Sequence, residues 1–270
     1  RGRLRPALRA ARAEDPEPER EALLDLERRL AQAGLGRVPP GLPWRAWRHA
    51  EGNAEAAYAK VREVMGWRAA EDVDGLLANP EALRDEREWY RTLLHYELRG
   101  PDRLGRTVLV EAVGNWDMKA INAVAGDQDG KRRMLRAHAL VCELLLRPPE
   151  EGEEGGAGPV PPRPAGFVAV LDMAGVSVKQ NPLGYPDMLS TLREISQINA
   201  RYYPMAVEHV FVVNTPLMFD LIWKVVSKLA MPSSGGIVHV LRKGDYRLLA
   251  DECGRGCLPE RLGGPGRAEA

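Results

Sequence analysis

The side chains most able to do chemistry in this chain are scattered. His49, His95, His138, His209 and His239 never fall at the H-x-x-H or H-E-x-x-H spacing that would put two imidazoles on one helix face for a zinc ion. Cys142 stands alone. Cys253 and Cys257 have a C-x3-C spacing with no nearby histidine, which suits neither a zinc site nor a redox pair, and all three are read as reduced thiols. The string GDQDGK from Gly126 to Lys131 is one residue short of a phosphate loop and lacks the following Ser or Thr, so it reads as a solvated turn. Asp127 and Asp129 are not followed by the acidic twelfth ligand of a calcium loop, and Gly175-Val176-Ser177 lacks the second glycine of a nucleophile elbow. The acid pairs Glu150-Glu151 and Glu153-Glu154 lie in a Pro-, Gly- and Glu-rich run that cannot hold them in a fixed geometry. The reading is a non-enzyme with no catalytic residue, no metal site and no cofactor.

Charge narrows the partners. Lys plus Arg and Asp plus Glu both total 38 in 270 residues, so no overall field draws the chain to nucleic acid, and contact with an anionic membrane has to be local. No stretch reaches the roughly 20 apolar residues of a membrane span. A cytoplasmic protein peripheral to membranes is expected, acting as a monomer. The start, RGRLRPALRAARA, is Arg-rich and acid-free until Glu14; residues 1–20 are read as a disordered tail or linker with a weak echo of an organelle transit peptide.

The elements that would position a site come next. Leu23, Leu24, Leu26 and Leu30 form a helical stripe, and after the breaker VPPGLP a second one is set by Ala57, Val61, Val64 and Trp67 behind Asn53 as cap. Residues 21–75 therefore read as a small all-α unit. Residues 79–98 read as another helix, with Asn79 as cap and Pro80 in the first turn. From there β-type runs (TVLVEAV, GFVAVLDM, HVFVVN, GIVHVL) alternate with helical ones, the pattern of an α/β domain with crossover connections. The run over 148–166 is too rich in Pro, Gly and Glu to pack and reads as an exposed insertion.

One helical segment does not read as a surface helix. Asn214-Thr215-Pro216 starts it and Pro232 stops it; between them Leu217, Met218, Phe219, Leu221, Ile222, Trp223, Val225, Val226 and Leu229 leave Asp220, Lys224, Ser227 and Lys228 as a narrow polar stripe. At roughly 1.5–3 kcal/mol per buried large apolar side chain, two apolar faces call for two apolar partners. A fully buried core helix and a lid over an apolar cavity that meets a bilayer both satisfy this pattern.

Five strings in order resemble the CRAL-TRIO family of lipid-binding proteins, over residues 42 to 264. The segment from Trp44 to Arg68 is similar to the family's L-R-F-L-R-A-R-K-F-D stretch and the helix after it. DRLGRTVLVE from Asp102 resembles D-x-x-G-R-P-V, and GFVAVLDMAGVS from Gly166 resembles the strand ending in D-x-x-G-x-S. Tyr202-Tyr203-Pro204 with VFVVNTP from Val210 resembles Y-P-E and N-x-P, and LPERLGG from Leu258 resembles L-P-x-x-x-G-G. The resemblance implies a mixed β-sheet over 79–264 with helices on one face, a hydrophobic pocket on the other, and Pro216–Met231 as its gate. It implies pocket residues Val168, Val170, Ile195, Phe211 and Val213, and no chemistry.

The expected partner is a lipid or other hydrophobic small molecule, exchanged at a transient membrane contact. The other reading is an interaction or regulatory module of a larger protein with a reduced or empty pocket. Phosphoinositide-holding members of the family carry basic residues in the first segment, a Glu after Y-P and a Lys in the gate. Here Arg45 and Arg48 match, while Ala50 and Glu51 replace the R-K pair, Met205 replaces the Glu, and Ser227 stands at the Lys with Lys228 beside it. An inositol phosphate needs convergent cations. Arg45, Arg48, Lys224 and Lys228 are therefore the head-group candidates, and phosphatidylinositol, a neutral isoprenoid, sterol or tocopherol-like molecule, and a zwitterionic phospholipid all stay open as ligands.

Overall fold

The structure, a computed structural model, describes residues 17–147, 166–177, 182–216 and 237–265. Most of the expected tail, nearly all of the 148–166 insertion and the whole apolar segment from Leu217 lie outside the described residues.

Helices α1 (Glu17–Gln32), α2 (Leu42–His49) and α3 (Ala54–Ala70) share one core. Leu23, Leu26 and Leu30 pack on Leu42, Ala46 and Trp47 and on Ala57, Val61, Val64 and Met65. Leu24 leaves the expected stripe and is exposed; α1 begins inside the stretch read as tail. Asn53 caps α3 as expected, its Oδ1 accepting from the Ala56 N–H at 3.0 Å. Trp67 turns away from this core and stacks on Tyr202, ring centroids 4.5 Å apart and 6° from parallel, while meeting Tyr203 edge-on. Arg68, buried at the end of α3, pairs with the buried Glu143 and with Asp74. The small helical unit is thus tied to the α/β domain by an aromatic stack and a buried ion pair.

After α4 (Val73–Ala78), helix α5 (Pro80–Leu94) stops earlier than expected. His95 takes a left-handed conformation, φ 47°, and the next four residues are strand β1 (Tyr96–Arg99), paired antiparallel with β2 (Val108–Ala112). Leu98 fits a helical stripe, and only the cross-strand partner, invisible to local periodicity, decides otherwise. Gly126–Lys131 is largely solvent-exposed, as expected, but is mostly helical: it joins α6 (Met118–Gly126) to α7 (Gln128–Leu145) through Asp127, whose Oδ2 accepts from the Gly130 N–H at 2.8 Å.

Then come β3 (Phe167–Asp172), α8 (Pro186–Tyr202), β4 (Val207–Val213), β5 (Ile237–Val240) and α9 (Arg247–Cys253). The described strands form one sheet in the order β1-β2-β3-β4-β5, parallel from β2 onward. Strand alternation sends Leu109, Ala169, Val210 and Val212 to the face covered by α5–α8. Val108, Val110, Val168, Val170, Phe211 and Val213 go to the other, where Leu249, Cys253, Leu258 and Leu262 close over them. The second face, expected to carry the cavity, is occupied by the C-terminal segment.

Within the helical layer a polar chain links α5, α7 and α8: Tyr90 O–H stands 3.3 Å from His138 Nδ1, and His138 Nε2 stands 2.8 Å from Asn199 Oδ1. Burial lowers the pKa of His138, so a neutral ring donating to Asn199 and accepting from Tyr90 satisfies all three groups.

At the amino ends of the parallel strands Arg106, 2% exposed, reaches Asp102, Glu208 and Glu252. Removing the guanidinium strands a buried carboxylate. Arg106→Leu is expected to lower stability by about 3 kcal/mol or more, read as a lower urea midpoint; a shift below about 1 kcal/mol would mean the cluster is not the clamp described.

Candidate functional site

In open α/β sheets ligands sit outside the carboxyl ends of the strands. Here β3, β4 and β5 end together on a cleft of about 1060 Å³, whose walls are the residues following each strand: Asp172 to Val176, Asn214 to Pro216, and Val240, Arg242 and Lys243, with Tyr246 and Arg261 closing one side. The volume is at the upper end of what small-molecule sites offer.

A hydrogen-bonded hub holds these loops. Asp172, 3% exposed, accepts from Asn214 Nδ2 at 2.7 Å, from the Ala174 N–H at 3.1 Å and from Arg261 Nε at 3.1 Å. Tyr246 O–H donates to Asn214 Oδ1 at 2.5 Å, and Arg261 spends its other arm on Glu97 at 2.8 Å. Asn214 is left-handed, φ 55°, a conformation asparagine tolerates better than most residues. Gly175, φ 83°, turns the chain after Asp172, and a Cβ on Gly264 would lie 1.9 Å from the Leu258 carbonyl oxygen. The D-x-x-G-x-S, N-x-P and L-P-x-x-x-G-G strings, dispersed in sequence, therefore meet in one place.

The residues expected in the site fare unequally. Val168, Val170, Phe211 and Val213 are fully buried under the C-terminal segment and do not line the cleft. Their alternation places them on the packed face. Ile195 is buried on α8. Arg45 is buried in α2, with Nε and Nη1 lacking a hydrogen-bond partner among the described residues; burial lowers its pKa to about 10, against the pull of Glu143. Arg48 is exposed and lies over the Trp44 ring at 5.8 Å. Neither arginine lines the cleft, so the structure does not bring them together with it. Lys224, Lys228 and the apolar run Leu217–Leu229 lie outside the described residues.

The sequence reading missed Arg242, Lys243 and Tyr246. Two adjacent cations after a strand look like any solvated turn, and only the strand's neighbours show what they border. Glu111 closes the DRLGRTVLVE string. It falls in the row of Leu109, on the face covered by α5–α8, and burial raises its carboxyl to about 7. Among the described residues no group of three His, Cys, Asp or Glu side chains could hold a metal ion, and no helix is long and apolar enough to cross a membrane.

A mixed sheet, parallel from β2 onward, with helices docked on it and a cleft at its carboxyl edge defines an α/β domain with a candidate ligand cleft. The comparisons place it further. Residues 94–264 match the CRAL/TRIO domain model, and the chain belongs to that family. It is 24% identical over 202 residues to the Sec14 cytosolic factor of Schizosaccharomyces pombe, covering 73% of this chain and 65% of that protein. It is 24% identical over 205 residues to the phosphatidylinositol/phosphatidylcholine transfer protein SFH14 of Arabidopsis thaliana (75% and 33%), and 22% identical over 173 residues to Protein real-time of Aedes aegypti (64% and 24%). The chain thus spans between about a quarter and two thirds of these relatives. The crystal structure of Sfh5 superposes with a TM-score of 0.62 at 16% identity, over 95% of this chain and 90% of that one, and shows the same fold.

The raised carboxyl of Glu111 has a pH signature. Its pKa lies above the ordinary value of 4.5, so between about pH 4.5 and 7 the folded chain holds a proton that the unfolded chain has lost. Stability from this group is present below that window and lost as pH rises through it. Glu111→Gln, which cannot titrate, is expected to match the parent chain at pH 4 and exceed it by about 3 kcal/mol at pH 8 in urea unfolding; an equal difference at both pH values would contradict the shift.

Proposed function

We propose that the chain binds one lipid-like molecule and carries it between membranes without chemistry, the ligand lying against the sheet near the carboxyl ends of β3, β4 and β5. The observation that carries this reading is the cleft itself: large, walled in part by Met173, Val176 and Val240, and placed where α/β sheets take their ligands. Val240 is 48% exposed although it ends a strand, and Val238 beside it is only partly buried. Both are in register with Val210 and Val212 and so face the side of α5–α8. An apolar floor with open surface suits a greasy ligand.

In this reading the apolar segment after Pro216 supplies the cover: its two apolar faces in sequence fit a gate that touches ligand on one side and bilayer on the other. The name of one relative points the same way, the phosphatidylinositol/phosphatidylcholine transfer protein SFH14.

Native mass spectrometry of the purified chain is expected to show one co-purifying lipid per molecule. A chain that is always empty would contradict the carrier and favour an interaction module with a vestigial pocket. Replacing Phe219 and Trp223 together by Asp is expected to reduce vesicle-to-vesicle lipid transfer to background while the circular dichroism spectrum stays the same; full transfer by this variant would overturn the gate.

A further inference from the structure

We propose that Arg242 and Lys243 form an anion-recognising rim that holds the phosphate or carboxylate head group of the bound lipid, with its apolar part against Met173, Val176 and Val240. This rests on the lipid-binding reading above and adds the charge class and orientation of the ligand.

The argument is one of local charge. The chain as a whole is neutral, 38 cations against 38 anions. The cleft is not: its described lining carries Arg242, Lys243 and Arg261 against Asp172 alone, a net of 3 − 1 = +2. Asp172 and Arg261 neutralise each other directly, and Arg261 is further held by Glu97. Arg242 and Lys243 have no ion-pair partner among the described residues. Two cations side by side repel one another, and a shared anion between them removes that cost while an arginine fork meets its oxygens in a plane.

The backbone that carries them is fixed. The Leu241 N–H donates to the Val212 carbonyl at 2.8 Å, extending the β4–β5 ladder, and the Asp245 N–H donates to the Arg242 carbonyl at 3.1 Å, closing a turn completed by Gly244 at φ 83°. Both residues line the cleft just beyond the end of β5. An inorganic ion would leave the apolar wall of Met173, Val176 and Val240 wet. An amphipathic anion covers the wall and meets the cations at once, so the rim favours a lipid head group over a free ion.

This site differs from the head-group candidates read from sequence. Arg45 and Arg48 belong to the helical unit and do not border the cleft.

The test incubates the full chain with vesicles holding equal amounts of phosphatidylcholine, phosphatidate and oleate, separates protein from vesicles, and quantifies the extracted lipid. The parent chain is expected to be enriched in phosphatidate or oleate over phosphatidylcholine. R242E/K243E is expected to lower that ratio about tenfold, and R242Q alone by a smaller factor. Both side chains are exposed, so the urea midpoint is expected to stay within experimental error, which separates loss of recognition from loss of fold. A parent chain that carries no lipid contradicts the carrier reading itself. Lipid of the same composition on parent and variants overturns this inference alone, even if the variants adsorb less to the vesicles. Inorganic phosphate titrated into the parent chain marks the source: saturable phosphate binding without any preference for the anionic lipids overturns the head-group assignment.

Discussion

A carboxylate taken out of water has to be answered by donors, and Asp172 is the place where this requirement organises the molecule. Its two oxygens draw in the backbone just after β3, the residue that ends β4 and an arginine near the end of the described chain. Leaving it unpaired would cost several kcal/mol. Fixing the loops at the carboxyl ends of β3 and β4 against the C-terminal segment is therefore inseparable from giving the buried Asp172 oxygens their hydrogen-bond donors. The cleft exists because those loops are tied back to one another and leave the space between them open.

The two ends of the parallel strands are treated oppositely. At the amino ends one guanidinium, Arg106, meets three carboxylates, and His209 stands 3.3 Å from one of them, Glu252. Burial lowers the pKa of His209. At the carboxyl ends the only acid lining the cleft among the described residues is hydrogen-bonded on both oxygens, and Arg242 and Lys243 have no ion-pair partner among those residues. The helical unit α1–α3, anchored by Trp67 and Arg68, stands outside this arrangement and stabilises the layer formed by α7 and α8.

Much of the fold could be read from the residues because its signals are local. Asn53, Asn79 and Pro80 mark helix starts by capping chemistry, and the Val- and Phe-rich runs of β3 and β4 announce buried parallel strands. What escaped was set by distant partners. Tyr96–Arg99 is a strand because β2 lies beside it, and Val168, Val170, Phe211 and Val213 face a packed core because the C-terminal segment folds back over them. The bond between Asp172 and Arg261 joins residues 89 apart, and no periodicity links them. Arg242 and Lys243 were legible as charges but not as a rim, since their meaning lies in the apolar wall supplied by β3 and the end of β5.

The central claim, a lipid seated at the carboxyl ends of β3 to β5, is tested most directly by photo-crosslinking with a phospholipid carrying a diazirine in its acyl chain, followed by peptide mapping. The account predicts adducts in the segments containing Met173 to Val176 and Val238 to Val240. Adducts confined to the helical unit α1–α3 or to the α9 side of the sheet would contradict it.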